Sequence, residues 1–208
     1  MPSALQSDLF EAPAAAPPGL RYTAGLITSA EEAALAAAIA DLPLQPFDFH
    51  GYKGNRRVAA FGWRYDYSRG EVHRASPIPD TLVLLRERVA AFAGRPAEDF
   101  VQALVTEYAP GAGIGWHRDR PQFGEVVGVS LLAPCTLRFR KERPGGWERI
   151  GVDLEPRSAY LMTGPSRGEW QHSIAPLPAL RYSVTFRTPA AGGLVPGPLA
   201  ISSAKARS

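Results

Sequence analysis

The heptapeptide Arg181-Tyr182-Ser183-Val184-Thr185-Phe186-Arg187 decides the fold. Its side chains alternate: Arg181, Ser183, Thr185 and Arg187 share one face of an extended segment, and Tyr182, Val184 and Phe186 share the other. Such a strand has two possible settings. In an ordinary half-exposed sheet its polar face meets water. Inside a barrel that face points inward, and two fixed guanidinium groups grip a dicarboxylate through charge-assisted, often bidentate hydrogen bonds. The rest of the chain chooses between them.

Working backward, residues 101–108, 126–132, 135–140, 148–154, 159–162, 171–174 and 181–188 alternate or run apolar between glycine and proline turns, and each is expected to be a strand. Many short strands at this spacing indicate a sandwich or barrel, of which the antiparallel jelly roll is one form. Two helices should precede them. Ser29 with Glu32 three positions on caps a helix to about residue 41; residues 79–92 carry Leu82, Leu85, Val89 and Phe92 on one stripe, with Gly94 ending it. Residues 1–18, rich in alanine and proline, are expected to form a flexible leader, 19–189 a single domain with its strand-rich core at about 100–188, and 190–208 a flexible tail.

Trp116-His117-Arg118-Asp119 lies between two of these strands. On an extended segment His117 and Asp119 project from the same face, so both can reach one metal ion. His172, from a distant strand, supplies a third ligand. Two histidines and one carboxylate leave three coordination positions open, the arrangement of non-haem Fe(II) oxygenases. With this set upstream, the inward setting of the 181–187 strand is preferred.

At this point the chain resembles the AlkB family of Fe(II)- and 2-oxoglutarate-dependent dioxygenases. The resemblance rests on Phe61-Gly62-Trp63-Arg64-Tyr65-Asp66-Tyr67-Ser68, on Thr106-Glu107-Tyr108-Ala109-Pro110-Gly111 leading into residues 116–119, on Ser166-Arg167-Gly168-Glu169-Trp170-Gln171-His172, and on the 181–187 strand. It implies a mainly β, α+β fold: a double-stranded β-helix (jelly-roll) core, two buttressing N-terminal helices, and a β-hairpin lid at about 47–75 that recognises a nucleotide. It implies Fe(II) held by His117, Asp119 and His172. It further implies 2-oxoglutarate held by Tyr108, Arg181, Ser183 and Arg187, with Arg181 at the distal carboxylate and Arg187 nearer the metal, and O2 as the second cosubstrate.

Two departures stand out. The family's Asn-x-Tyr is Thr106-Glu107-Tyr108 here, so a hydroxyl replaces an amide at a cosubstrate contact. Pro121 stands where the family's bacterial founding member has an acid that helps recognise the base, so no preference for particular modified bases carries over.

Composition is consistent with this reading. A chain of 208 residues, 45% hydrophobic and 21% charged, suits one domain. Its only cysteine, Cys135, excludes an intrachain disulfide and a cysteine-built zinc site, and reads as a small core residue. With no apolar run of membrane-spanning length and no secretion signal, a cytoplasmic monomer is expected. The net charge of +3 weakly favours an anionic partner. Its distribution is more informative: Lys53, Arg56, Arg57, Arg64, Arg69 and Arg74 are interleaved with Tyr52, Phe61, Trp63, Tyr65 and Tyr67. That composition fits phosphate contact with base stacking, and equally a surface hairpin with solvated charges. By resemblance the segment is the lid: Trp63 stacks, Tyr65 meets a phosphate, and Tyr67, Arg56 and Arg57 complete the substrate contacts.

The expected activity is oxidative demethylation of N-alkylated bases in single-stranded or flipped-out DNA or RNA, releasing formaldehyde, succinate and CO2. Two alternatives remain open. One is a protein side-chain hydroxylase or demethylase with the same iron centre; the other is a catalytically silent nucleic-acid-binding jelly roll. His50 and His73 read as surface or phosphate-proximal residues, Trp116 and Trp170 as packing that excludes water. Gly111-Ala112-Gly113-Ile114-Gly115 lacks a P-loop lysine and reads as a flexible connection.

Overall fold

Helix α1 (Ser29–Ala40) begins at Ser29 itself, the expected cap. Thr28 is the cap: its hydroxyl accepts from the Glu31 backbone N–H at 3.2 Å while the Glu31 carboxylate accepts from the Thr28 N–H at 2.7 Å. Glu32, which a Ser29 cap would have used, is instead buried, accepting from the Leu132 N–H and from Arg157. Helix α2 (Asp80–Ala93) matches expectation, with Leu82, Leu85, Val89 and Phe92 buried and Gly94 closing it in the left-handed conformation at φ 73°. This computed structural model describes residues 16–49, 52–66 and 70–192. His50, Tyr67, Arg69, most of the proposed leader and the tail from 193 onward lie outside the described residues, as does the side chain of Lys53.

The strands are β1 (Leu20–Thr23), β2 (Gln45–Phe49), β3 (Tyr52–Phe61), β4 (Trp63–Asp66), β5 (Glu71–Arg74), β6 (Gln102–Tyr108), β7 (Ile114–His117), β8 (Phe123–Leu131), β9 (Cys135–Arg143), β10 (Gly146–Leu154), β11 (Ala159–Met162), β12 (Gln171–Ile174) and β13 (Arg181–Pro189). A short helix, α3 (Gly164–Gly168), follows β11. Seven strands form a sheet in the order β1-β11-β8-β13-β6-β3-β2; a second has the order β10-β9-β12-β7; β4 and β5 pair as a small ribbon. The pairings are antiparallel, and the two larger sheets form a mainly β, jelly-roll-like core.

Strand β13 settles its own question. Its edges pair with β8 and β6, and every residue from Arg181 to Thr188 is buried, so water reaches neither face. Tyr182, Val184 and Phe186 pack with Leu82, Leu85 and Val89 of α2 in one apolar cluster, and the polar face looks toward the second sheet. A second cluster, with Leu137, Phe139, Val152 and Leu154 of β9 and β10, fills part of the space between sheets. Arg181, Ser183, Thr185 and Arg187 are all buried there.

Three local features were not anticipated. Strand β3 is no detached surface hairpin: it hydrogen-bonds along β6, from Arg56 opposite Tyr108 to Phe61 opposite Ala103. Residues 111–115 are no loose connection, since the Gly111 N–H donates to Leu177 O at 2.7 Å, the Leu177 N–H donates to Ala112 O at 3.0 Å, and Ile114 and Gly115 lie in β7. Pro18, expected in the leader, accepts from the Ser166 N–H at 2.8 Å. Among the described residues no helix is long and apolar enough to cross a membrane.

Candidate active site

Strands β7 and β12 pair with His117 directly opposite His172, and the rings lie 4.2 Å apart between centroids. Asp119, just past the end of β7, is buried, with Oδ2 3.7 Å from His172 Nε2. A carbonyl only accepts, so the 2.9 Å contact of His117 Nδ1 with Gly115 O places a proton on Nδ1 and leaves Nε2 as a lone pair. Burial lowers the pKa of both histidines, with His172 brought down to about 3 by burial and by its neighbour His117. Burial acts to raise the Asp119 carboxyl, but the surrounding positive charge, the Arg187 guanidinium foremost, together outweighs it and holds the group well below the usual carboxylate range. Two neutral imidazoles and an ionised carboxylate are the protonation states that a divalent metal requires.

Arg187 anchors this group. Its Nη2 and Nε donate to Asp119 Oδ1 at 2.6 and 3.1 Å, and its Nη1 donates to Gln102 Oε1 at 2.9 Å. Gln102 in turn donates to the Trp63 carbonyl at 2.6 Å. A line of hydrogen bonds thus runs from Asp119 to the backbone of β4. Arg167 adds a second anchor: its guanidinium donates to the carbonyls of Asp119, Arg120, Phe123 and Gly124 at 2.6 to 3.2 Å, holding the segment that follows the metal motif. A cleft of about 630 Å3 borders Asp119, with Arg118, Arg120, Pro121 and Arg167 in its walls.

At the other end of the same strand face, Arg181 is fully buried. Its Nε donates to Ser130 Oγ at 3.1 Å, its carbon Cζ lies 5.2 Å from the centre of the Tyr108 ring, and its Nη1 has no hydrogen-bond partner. A buried cationic donor without an acceptor is costly. This open donor fits a carboxylate, and the β13–β6 register sets Tyr108 opposite Arg181 and Thr106 opposite Ser183, so three hydroxyl-bearing residues share these rows.

Tyr160 escaped the sequence reading. It sits in the apolar run of β11, where an aromatic residue reads as core. Its ring lies across Gly128: a Cβ there would come within 2.3 Å of Tyr160 Cζ and 2.4 Å of its hydroxyl oxygen. Gly128 stands opposite Thr185, so the phenol reaches into the row between Arg181 and Arg187. Burial, and then Asp119, push this phenol up, while Arg181 and Arg187 oppose them. Gln102 and Arg167 were also missed as functional residues; nothing in their spacing distinguishes them.

The expected lid residues divide. Arg57 is already engaged in a two-pronged ion pair with Glu107, at 2.7 and 2.6 Å. Arg56 lies over the Phe47 ring at 4.0 Å. Trp63 is half-buried beneath Arg74, and Tyr65 meets the guanidinium of Arg120, the residue after Asp119, at 4.7 Å. Trp170 is buried as expected, whereas Trp116 is half-buried with its ring against Arg138 and Arg140.

Residues 19–187 match the family model of the 2OG-Fe(II) oxygenase superfamily. The chain is 28% identical over 183 residues to the "Alkylated DNA repair protein ALKBH8 homolog" of Arabidopsis thaliana, covering 76% of this chain and 51% of that protein. It is 31% identical to the mouse "tRNA (carboxymethyluridine(34)-5-O)-methyltransferase ALKBH8", covering 78% of this chain and 25% of that protein. It is also 31% identical to the "Alpha-ketoglutarate-dependent dioxygenase AlkB" of Escherichia coli, covering 53% of this chain and 55% of that one. The chain thus spans about half or less of the length of these relatives. The solved structure of OsALKBH1 superposes with a TM-score of 0.63 at 17% identity, over 86% of this chain and 99% of that one, a likeness of fold. The chain belongs to the AlkB family within the 2OG-Fe(II) oxygenase superfamily, whose members are dioxygenases using Fe(II), 2-oxoglutarate and O2.

Proposed function

We propose that this protein oxidatively demethylates N-alkylated bases in DNA or RNA, with His117, Asp119 and His172 holding Fe(II). The observation that carries the cosubstrate half is the fully buried Arg181 with its open Nη1 donor, on the strand face that also carries Arg187 to Asp119. Bound iron would supply the oxidation of an inert C–H bond that no side chain can perform. Arg181 takes the distal carboxylate of 2-oxoglutarate, with the hydroxyls of Thr106, Ser183 and Tyr160 around it. Arg187 keeps Asp119 ionised and aimed, and Arg167 keeps the 119–124 backbone from drifting. The two stacked sheets exclude water from these charges, which strengthens each contact.

The net reaction converts N–CH3, O2 and 2-oxoglutarate into N–CH2OH, succinate and CO2. One oxygen atom enters the hydroxymethyl group and one enters succinate. The hemiaminal then breaks its C–N bond, giving formaldehyde and restoring the N–H. Support for a nucleic-acid substrate comes from the relatives' names, one for repair of alkylated DNA and one for modification of tRNA, and from the arginines and aromatics of β3 to β5. The methyl transfer named for the mouse protein is not carried over, because the match spans a quarter of it.

The test is mass spectrometry of iron-loaded protein with 2-oxoglutarate on methylated DNA, RNA and peptide pools. Loss of 14 mass units from a base, with formaldehyde and succinate in equal amounts, is expected. Oxidation confined to peptides would establish a protein substrate and refute this reading.

A further inference from the structure

The back of the second sheet carries a built surface that the active site does not use. On β9, Cys135, Leu137 and Phe139 point inward, so Arg138 and Arg140 point out. Cross-strand pairing sets Ser173 beside Arg138, and Gln171 and Arg149 on either side of Arg140. Trp116 points out for the same reason that His117 points in. The result is a ladder. Arg138 lies 5.3 Å and Arg140 4.5 Å from the centre of the Trp116 ring, and Arg140 lies 4.2 Å from that of Trp147.

Arg140 is therefore held between two indoles, with its Nε donating to Gln171 Oε1 at 2.7 Å. A guanidinium stacked by its faces keeps its in-plane Nη donors for an oxyanion. Trp147 remains 39% exposed, and Arg149 is exposed beside Arg140. Glu142, opposite Trp147, is one acid on these rows; Asp153, farther along, is bonded to Thr136 at 2.7 Å. Three arginines and two tryptophans, with the two acids Glu142 and Asp153 at opposite ends of the rows, make a surface complementary to phosphates and bases together.

We infer that this outer face of β7, β12, β9 and β10 is a second binding surface for single-stranded nucleic acid, which holds the strand flanking the base being oxidised. Arg138, Arg140 and Arg149 meet phosphates, and a base stacks on the open face of Trp147. The inference deepens the proposed function and rests on it for the identity of the strand.

The test uses full-length protein and an unmodified fluorescein-labelled dT15, read by anisotropy at two salt concentrations. Trp147→Ala combined with Arg149→Ala should weaken binding about 10-fold and flatten its salt dependence. Formaldehyde release from a methylated 15-mer should fall by a similar factor in kcat/KM, while release from a methylated trinucleotide should stay within twofold. The single variant Arg149→Gln, at an exposed site, should show a smaller loss in the same direction without disturbing the fold. Unchanged dT15 binding in the double variant, or equal losses on the trinucleotide and the 15-mer, would overturn the inference. So would binding of a polyglutamate peptide in preference to dT15, which would mark an acidic protein partner. A wild type that binds dT15 through this face but releases no formaldehyde would sink the demethylase reading and spare the surface; the reverse result would sink the surface alone.

Discussion

Arg187 places two of its donors on one oxygen of Asp119, at 2.6 and 3.1 Å, leaving Oδ2 facing His172. A lysine would offer one point charge in place of a rigid fork. Arg187→Lys should therefore weaken Mn(II) binding, followed by electron paramagnetic resonance, by on the order of 10-fold, and raise the 2-oxoglutarate requirement with it. Asp119→Ala should abolish metal-dependent succinate formation. Normal metal binding in both variants would remove Asp119 from the ligand set.

Arg181 should behave differently, because it touches no metal-ligand candidate. Arg181→Lys is expected to raise the 2-oxoglutarate requirement by on the order of 10-fold or more and to leave Mn(II) binding intact. Calorimetric titration of both ligands separates the outcomes. An unaltered 2-oxoglutarate affinity would mean that the open Nη1 donor serves something else.

Gly128 and Tyr160 form a size-matched pair. A methyl group at 128 drives the Tyr160 ring from its place, so Gly128→Ala should cost about 1 to 3 kcal/mol of stability, as overpacking does, and raise the KM for 2-oxoglutarate. Tyr160→Phe should keep the melting temperature while raising that KM several-fold. If Tyr160→Phe binds 2-oxoglutarate as the wild type does, the phenol is packing only.

Gln102 links the metal side to β4 by accepting from Arg187 and donating to the Trp63 carbonyl. Gln102→Glu keeps an acceptor for Arg187 but loses the donor. Amide hydrogen exchange across residues 63–66 should accelerate, with Mn(II) affinity preserved. Gln102→Leu strips both bonds from buried groups, at roughly 1 to 3 kcal/mol for each group left unpaired, and should impair metal binding as well. Equal exchange rates in wild type and Gln102→Glu would show that β4 is held by other contacts.

Arg56 and Arg57 are adjacent but should not be equivalent. Glu107 already neutralises Arg57, so Arg57→Ala should change the salt dependence of oligonucleotide binding less than Arg56→Ala does. Anisotropy across a salt series measures both slopes. A larger effect from Arg57→Ala would mean that its pair with Glu107 opens when the strand arrives.

Much of this protein was written in local sequence. The strands from β6 onward other than β7, α2 with its glycine stop, and the candidate grouping of His117 and Asp119 with His172 are legible because side-chain period and motif spacing are properties of neighbouring residues. The alternation of residues 181–187 is equally local. What sits on either side of it is not, and only the packing of the second sheet over the β13 face, which buries Arg181, Ser183, Thr185 and Arg187, showed that its polar face is interior. The engagement of Arg187 with Asp119, of Arg57 with Glu107, and of Arg167 with four carbonyls joins residues more than forty positions apart. Such pairs leave no periodic trace, because an arginine reads the same whether it faces water, a carboxylate or a backbone carbonyl. Strand period told which residues share a face; tertiary packing alone decided what each face meets.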